Sequence, residues 1–246
     1  DLLRVMSRAQ SIVERRTTIP ILSNILFEAI ENRVHCRTTD LDIEIVDVLK
    51  ASIVSNGAVT VNANTLYEIV RKLSEGSRVN LSFDQQNGRL EIKSGNSAFS
   101  LATLSKDDFP MMASSDYECN FSISADELRR LFEKSKFAMS SEETRYYLNG
   151  VYLHCGEQAG VKVLRAVATD GHRLARVDCD LPIEADKIPG VIIPKKTVGE
   201  IRSILDGLEE KVAVSVSPNK IRFSNSVTTI TSKVIYGTFP DYSRVI

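Results

Sequence analysis

Apolar positions in the opening segment recur at helical spacing. Leu2, Val5, Met6, Ala9, Ile12 and Val13 form one stripe, and Arg4, Arg8, Ser11 and Arg15 are assigned to the opposite face. The chain is therefore expected to open with an amphipathic helix bearing a basic outer stripe. Ile19-Pro20 breaks that helix, and the residues that follow read as hairpin-forming strands over 25–30, 34–38 and 41–49. A short strand at 59–61 enters a second helix over 62–73, with Leu66, Ile69, Val70 and Leu73 on one face and Glu75-Gly76 as its stop. Strands over 79–83, 89–94 and 98–103 follow, separated by Asn87-Gly88 and by Gly95-Asn96, pairs suited to tight hairpins. Phe109-Pro110 closes the segment, and the polar stretch 111–118 reads as a link.

The pattern then restarts. Ser124-Ala125-Asp126-Glu127 has the form of a capping box, and Leu128, Leu131 and Phe132 supply the stripe of a new helix among Arg129, Arg130, Lys134 and Lys136. Leu148 to Leu153 resembles Leu22 to Phe27 in pattern, and Thr169-Asp170 falls where Thr39-Asp40 fell. A helix over 195–208 repeats the second helix, with Thr197, Glu200, Ile201 and Leu205 answering Thr65, Glu68, Ile69 and Leu73. Phe239-Pro240 answers Phe109-Pro110. Matches in one order at offsets of about 126 to 132 residues predict two copies of one domain, over 1–117 and 118–246. Diverged copies seldom both keep a solitary active site, so repetition favours architecture over catalysis.

Composition narrows the picture further. With 43% hydrophobic and 26% charged residues the composition is that of a globular protein, and no apolar run approaches the roughly 20 residues of a membrane-spanning helix. Cys36, Cys119, Cys155 and Cys179 are scattered without a C-x-x-C pair, which fits reduced thiols and a cytoplasmic location. A net charge of −1 gives no bulk attraction for a polyanion, so any nucleic-acid role needs local segregation of charge. All four predicted helices carry such cations off their apolar stripes: Arg4 and Arg8; Arg71 and Lys72; Arg130 and Lys134; Lys195, Lys196 and Arg202.

The strongest local signal is the stretch 166–175, in which strand-prone residues lead through Thr169, Asp170 and Gly171 to His172, Arg173 and Leu174. Asp170 and His172 are ingredients of metal or acid–base chemistry. A metal-dependent hydrolase is thus one alternative, and a repeat-domain scaffold without DNA contact is another. With three histidines in the chain, and no H-E-x-x-H, G-x-S-x-G or phosphate-binding glycine loop, catalysis has little material.

Ala168-Thr169-Asp170-Gly171-His172-Arg173-Leu174-Ala175, Arg145-Tyr146-Tyr147-Leu148-Asn149-Gly150, Thr18-Ile19-Pro20-Ile21-Leu22, Asp108-Phe109-Pro110 and Phe239 to Val245 together closely resemble the bacterial sliding clamps, the β subunits of DNA polymerase III. The resemblance implies an α+β fold of repeated DNA-clamp domains, with antiparallel sheets outside and two helices per domain lining the inner face. It also implies a non-catalytic processivity factor: a cytoplasmic homodimer ring around duplex DNA, with no cofactor, no metal and no catalytic residue. Leu148, Thr169, Gly171, His172, Arg173, Leu174, Pro240, Arg244 and Val245 match the family's hydrophobic pocket, which receives short linear peptides from polymerases, the clamp loader and repair proteins. In that pocket Gly171 is expected to let a peptide approach the backbone. Arg16, Tyr147 and Lys196 match positions that touch DNA. Glu142 stands where better-known members have a neutral amide, and a carboxylate beside phosphate is repulsive. The family places a short strand before the first helix and a third clamp domain after position 246, so a fragment unable to close a normal ring is the expectation.

Overall fold

The computed structural model describes residues 1–14, 17–113, 116–205 and 211–245. The chain divides into two compact units, Asp1–Met112 and Ala113–Ile246.

The first unit runs α1 (Leu2–Ile12), β1 (Asn24–Ile30), β2 (Arg33–Thr39), β3 (Ile43–Lys50), β4 (Gly57–Asn62), α2 (Ala63–Val70), β5 (Asn80–Asp84), β6 (Arg89–Ser94) and β7 (Ser97–Leu104). Its strands lie in the order β5-β6-β7-β4-β1-β2-β3, and neighbours are antiparallel. Both helices cover one face of this sheet. Val5, Met6, Ala9 and Val13 of the first helical segment and Ala63, Leu66 and Val70 of α2 meet Ile25, Phe27, Cys36, Val61, Leu90 and Ile92 in one apolar core. Asn62 caps α2, its Oδ1 accepting from Thr65 N at 2.9 Å. The helix stops at Val70, so Leu73 falls in the turn beyond it, before Gly76 at φ +74°.

The helical stripe of α1 differs from expectation at one residue. Arg8 is buried, and its Nη2 lies 2.9 Å from Asp47 Oδ1 on β3. Positions 5, 8, 9 and 12 follow the i, i+3, i+4, i+7 rule, so the turn of the helix carries Arg8 inward with Val5, Ala9 and Ile12 whatever its charge. The opposing carboxylate of Asp47 makes that burial tolerable. Arg4 remains exposed, and Arg15 lies outside the described residues.

The second unit runs β8 (Cys119–Ser124), α3 (Ala125–Glu133), β9 (Gly150–Gln158), β10 (Val161–Thr169), β11 (Leu174–Asp180), β12 (Val191–Pro194), α4 (Lys195–Leu205), β13 (Lys211–Val216), β14 (Lys220–Ser224) and β15 (Thr228–Lys233). From its first helix onward the order of helices and strands is that of the first unit. Two antiparallel runs form here, β11-β10-β9-β12 and β15-β14-β13-β8. The N-cap half of the capping box forms, Glu127 N donating to Ser124 Oγ at 3.2 Å, while the Glu127 carboxylate accepts from the Ser124 hydroxyl at 2.8 Å rather than from its backbone N–H. Leu128, Leu131 and Phe132 of α3 and Val198, Ile201 and Ile204 of α4 are buried, and Phe132 meets Phe223 of β14 edge to face at 6.1 Å. The predicted continuation of α4 over 206–208 lies outside the described residues.

Candidate functional site

The turn between β10 and β11 is built from local hydrogen bonds. Asp170 Oδ1 accepts from the backbone N–H groups of His172 (2.9 Å) and Arg173 (3.0 Å), while Oδ2 accepts from Arg173 Nε (2.9 Å). Thr169 Oγ1 donates to Arg173 O at 2.7 Å and accepts from Gly171 N at 3.1 Å. Those donors hold the Asp170 carboxyl down to a pKa of about 2, with the His172 amide first among them. Its oxygens are therefore engaged in shaping the turn.

The first unit repeats the Thr-Asp hydrogen bonds of this turn, though not the Arg173 side-chain contact, since Ile43 stands at that position. Asp40 Oδ1 accepts from Asp42 N at 2.9 Å and Ile43 N at 2.8 Å, while Thr39 Oγ1 donates to Ile43 O at 2.9 Å and accepts from Leu41 N at 3.0 Å. The Thr-Asp pair is thus a fold device used twice, which accounts for Asp170 without chemistry at His172. Gly171 at φ +89° stands where Leu41 sits at φ +80°. What distinguishes the second copy is the space above the glycine. A Cβ there would lie 2.6 Å from Arg145 Nη1. Arg145 is held in place by Glu142, its Nε and Nη2 lying 2.9 and 2.6 Å from the Glu142 oxygens. The terminus of the Arg145 side chain thus lies over Gly171.

Around this turn the second unit gathers an apolar floor. Leu148, Val167, Ile192 and Phe239 are buried together, with Tyr147, Tyr152, Leu174, Ile235 and Tyr242 packed at the margin. Leu148 and Leu174 of the expected pocket thus share one cluster. Thr169 is half-buried at the strand end, and His172 and Arg173 are exposed, the Arg173 guanidinium lying 5.7 Å from the ring centre of the exposed Phe137. Pro240, Arg244 and Val245 lie on an exposed arm that ends in a 3-10 turn, Tyr242–Val245. Within the arm, Asp241 accepts from Ser243 N at 3.2 Å and Arg244 Nε at 3.0 Å.

Sequence reasoning does not foresee how this arm is held. Tyr152 stacks on Phe239 at 4.9 Å and on His154 at 4.5 Å, and His154 Nε2 lies 2.8 Å from Tyr242 Oη. The usable signal is the period-2 alternation of the strand, which turns His154 to the same side as Tyr152 and away from Cys155.

A second group of residues borders the floor. Lys195 N donates to Asn149 O at 3.0 Å and Lys195 Nζ to Ser141 Oγ at 2.7 Å, so the start of α4 sits against the 141–149 segment. Lys196 is exposed beside it, and Tyr147 lies in that segment while also edging the apolar cluster. Tyr147 and Lys196 therefore share one neighbourhood. Arg16 lies outside the described residues. Among the described residues no group of three or more His, Cys, Asp or Glu side chains is arranged to hold a metal ion.

Residues 1–113 match the family model of the DNA polymerase III beta subunit, N-terminal domain, and residues 122–241 that of its central domain. The chain is 50% identical over 245 residues to the beta sliding clamp of Caulobacter vibrioides and 36% identical over 246 residues to that of Pseudomonas aeruginosa. It is covered completely in both matches and spans 66% and 65% of those relatives' lengths. Among solved structures it superposes on a Caulobacter crescentus beta sliding clamp with a TM-score of 0.96 at 50% identity, covering 65% of that chain. A Bartonella birtlesii sliding clamp bound to griselimycin gives 0.95 at 46% identity, again with 65% of that chain covered.

Proposed function

The chain belongs to the DNA polymerase III beta subunit family, and from that premise we propose that its two units are successive clamp domains of a ring that encircles duplex DNA and tethers the polymerase. The observation that carries this reading is the repeated layout. Each unit packs two helices on antiparallel sheet, and each leaves cations exposed on those helices or just past their C-terminal ends: Arg4, with Arg71 and Lys72 after α2, in one; Arg130, Lys196 and Arg202, with Lys134 after α3, in the other. Weak, salt-sensitive contact to backbone phosphates suits a protein that must slide, since base-specific bonds would arrest it. Arg16, Tyr147 and Lys196 are assigned to that contact. The work is non-catalytic and takes place in the cytoplasm, where the replicating DNA lies.

The apolar floor under Leu148 and Leu174, walled by Pro240, Arg244 and Val245 and edged by Thr169, Gly171, His172 and Arg173, is assigned to short peptides of polymerases, the clamp loader and repair proteins. A small apolar floor with a few polar edges is the chemistry expected of a peptide groove. The test of encirclement is topological: the full-length protein, loaded on nicked circular DNA, is retained, and linearising the DNA releases it. Equal retention on both forms would refute the ring.

A further inference from the structure

Among the described residues, the arm that carries Pro240, Arg244 and Val245 is tied to the rest of the second unit by side-chain hydrogen bonds at one point, the Tyr242 hydroxyl. Its other side-chain hydrogen bonds are internal, from Ser243 and Arg244 to Asp241. Among the described residues, the Tyr242 hydroxyl is the arm's side-chain hydrogen-bonding group that reaches the sheet. It meets a row of side chains that three strands set in register: His154 on β9 is paired with Arg165 on β10, and Arg165 with Asp178 on β11.

The chemistry of that row is directional. His154 Nδ1 lies 2.8 Å from Cys155 O, and a carbonyl can only accept, so Nδ1 carries the proton. Nε2 is then the acceptor, and Tyr242 O–H must donate to it over 2.8 Å. Arg165 is pinned by Asp178 through Nε at 2.7 Å and Nη2 at 2.8 Å and by Glu157 O at 3.0 Å, which turns its Nη1 toward the Tyr242 oxygen at 3.5 Å. Burial pushes the His154 imidazole below its ordinary pKa, which favours the neutral ring this arrangement needs. Tyr152 and Phe239 continue the contact as a stack, so the hydroxyl lies at the end of an aromatic column that also floors the groove.

We propose that Tyr242 and His154 form a latch, backed by Arg165 and Asp178, that positions the 240–245 arm and so sets the groove's affinity for a bound peptide. The proposal rests on the groove assignment above. None of the four side chains is assigned to touch the ligand; they are positioning residues that act through Pro240, Arg244 and Val245.

Griselimycin, seen bound to the Bartonella birtlesii clamp, serves as the probe, with affinity measured by calorimetry on the full-length protein and loss of binding in Leu174→Asp marking the groove as its seat. Tyr242→Phe keeps the ring and removes the donor. It is expected to weaken griselimycin about five- to tenfold, in line with one lost hydrogen bond, while the lifetime of protein already loaded on circular DNA stays unchanged. His154→Leu should do the same, and the double variant should bind no more weakly than either single one. Affinity equal to wild type in Tyr242→Phe, or losses that simply add, would overturn the latch and leave the groove reading standing. Absence of griselimycin binding by the unaltered protein would remove both. Should a variant lose its fold, ring 15N shifts of His154 in the unaltered protein decide: a proton on Nδ1 supports the latch, and one on Nε2 refutes it.

Discussion

Gly171 and Leu41 occupy one backbone conformation in two copies of the same turn, and they bear it at different cost. A β-carbon at positive φ is strained, and only glycine adopts that region freely. Gly171→Ala adds that strain and also pushes against Arg145 Nη1, the far end of a side chain that can shift only by loosening its pairing with Glu142. The expected cost is about 1 kcal/mol, and Leu41→Gly is expected to have the opposite sign and be smaller, because added freedom in the unfolded chain offsets part of the relief. Thermal unfolding of the two variants checks this, and matching shifts of one sign would contradict it. Asp170 completes the turn as an ionised carboxylate. Since its folded pKa is depressed, its contribution is present above the ordinary carboxylate range and is lost as pH falls through about 2.

At the scale of the element, α1 shows how one face can hold charge and apolar packing together. Its inward stripe includes Arg8, whose charge is matched by Asp47 on β3. Removing one partner of a buried pair strands the other charge, so Arg8→Ala is expected to cost about 3 kcal/mol, while Arg4→Ala at an exposed position should change stability by less than about 0.5 kcal/mol. Urea midpoints for the two variants distinguish the roles. Near-equal effects would mean that Arg8 is a surface residue after all. The asymmetry also explains a neighbouring thiol: Cys36 is buried near Asp47, and desolvation first and that carboxylate second raise its pKa well above the ordinary range.

For the molecule as a whole, net charge of −1 hides the cations that the helices present to solvent. Reversing Arg4, Arg130 and Lys134 to Glu should weaken loading on circular DNA and flatten its dependence on salt, since each phosphate that is no longer neutralised lowers the slope by about 0.9. Arg8 is left out of that set because its reversal would place a second carboxylate beside Asp47 and test folding instead. Filter retention across a salt series gives the readout; an unchanged slope would mean that these helices do not meet phosphate.

Repeated apolar spacing, caps and turn residues act locally and leave a mark at fixed intervals, which is why the residues alone suggest two copies over 1–117 and 118–246, whereas the compact units of the structure divide at 112/113. Also legible were the strand 89–94, the N-cap at Ser124 and the paired Thr-Asp turns. The expected groove residues came from family resemblance, and their spatial meaning depended on the fold. Charge misled the reading at Arg8, where only the packing of α1 against β3 showed which way the side chain goes. The Arg145 guanidinium over Gly171 and the Tyr242 contact with His154 join residues 26 and 88 positions apart. Such pairs have no spacing rule to betray them. Sequence determined which segments become helix, strand and turn, since those choices are settled by neighbours along the chain. Tertiary structure alone decided which side chains meet, because strand register and the return of the 240–245 arm set distances that no local pattern encodes.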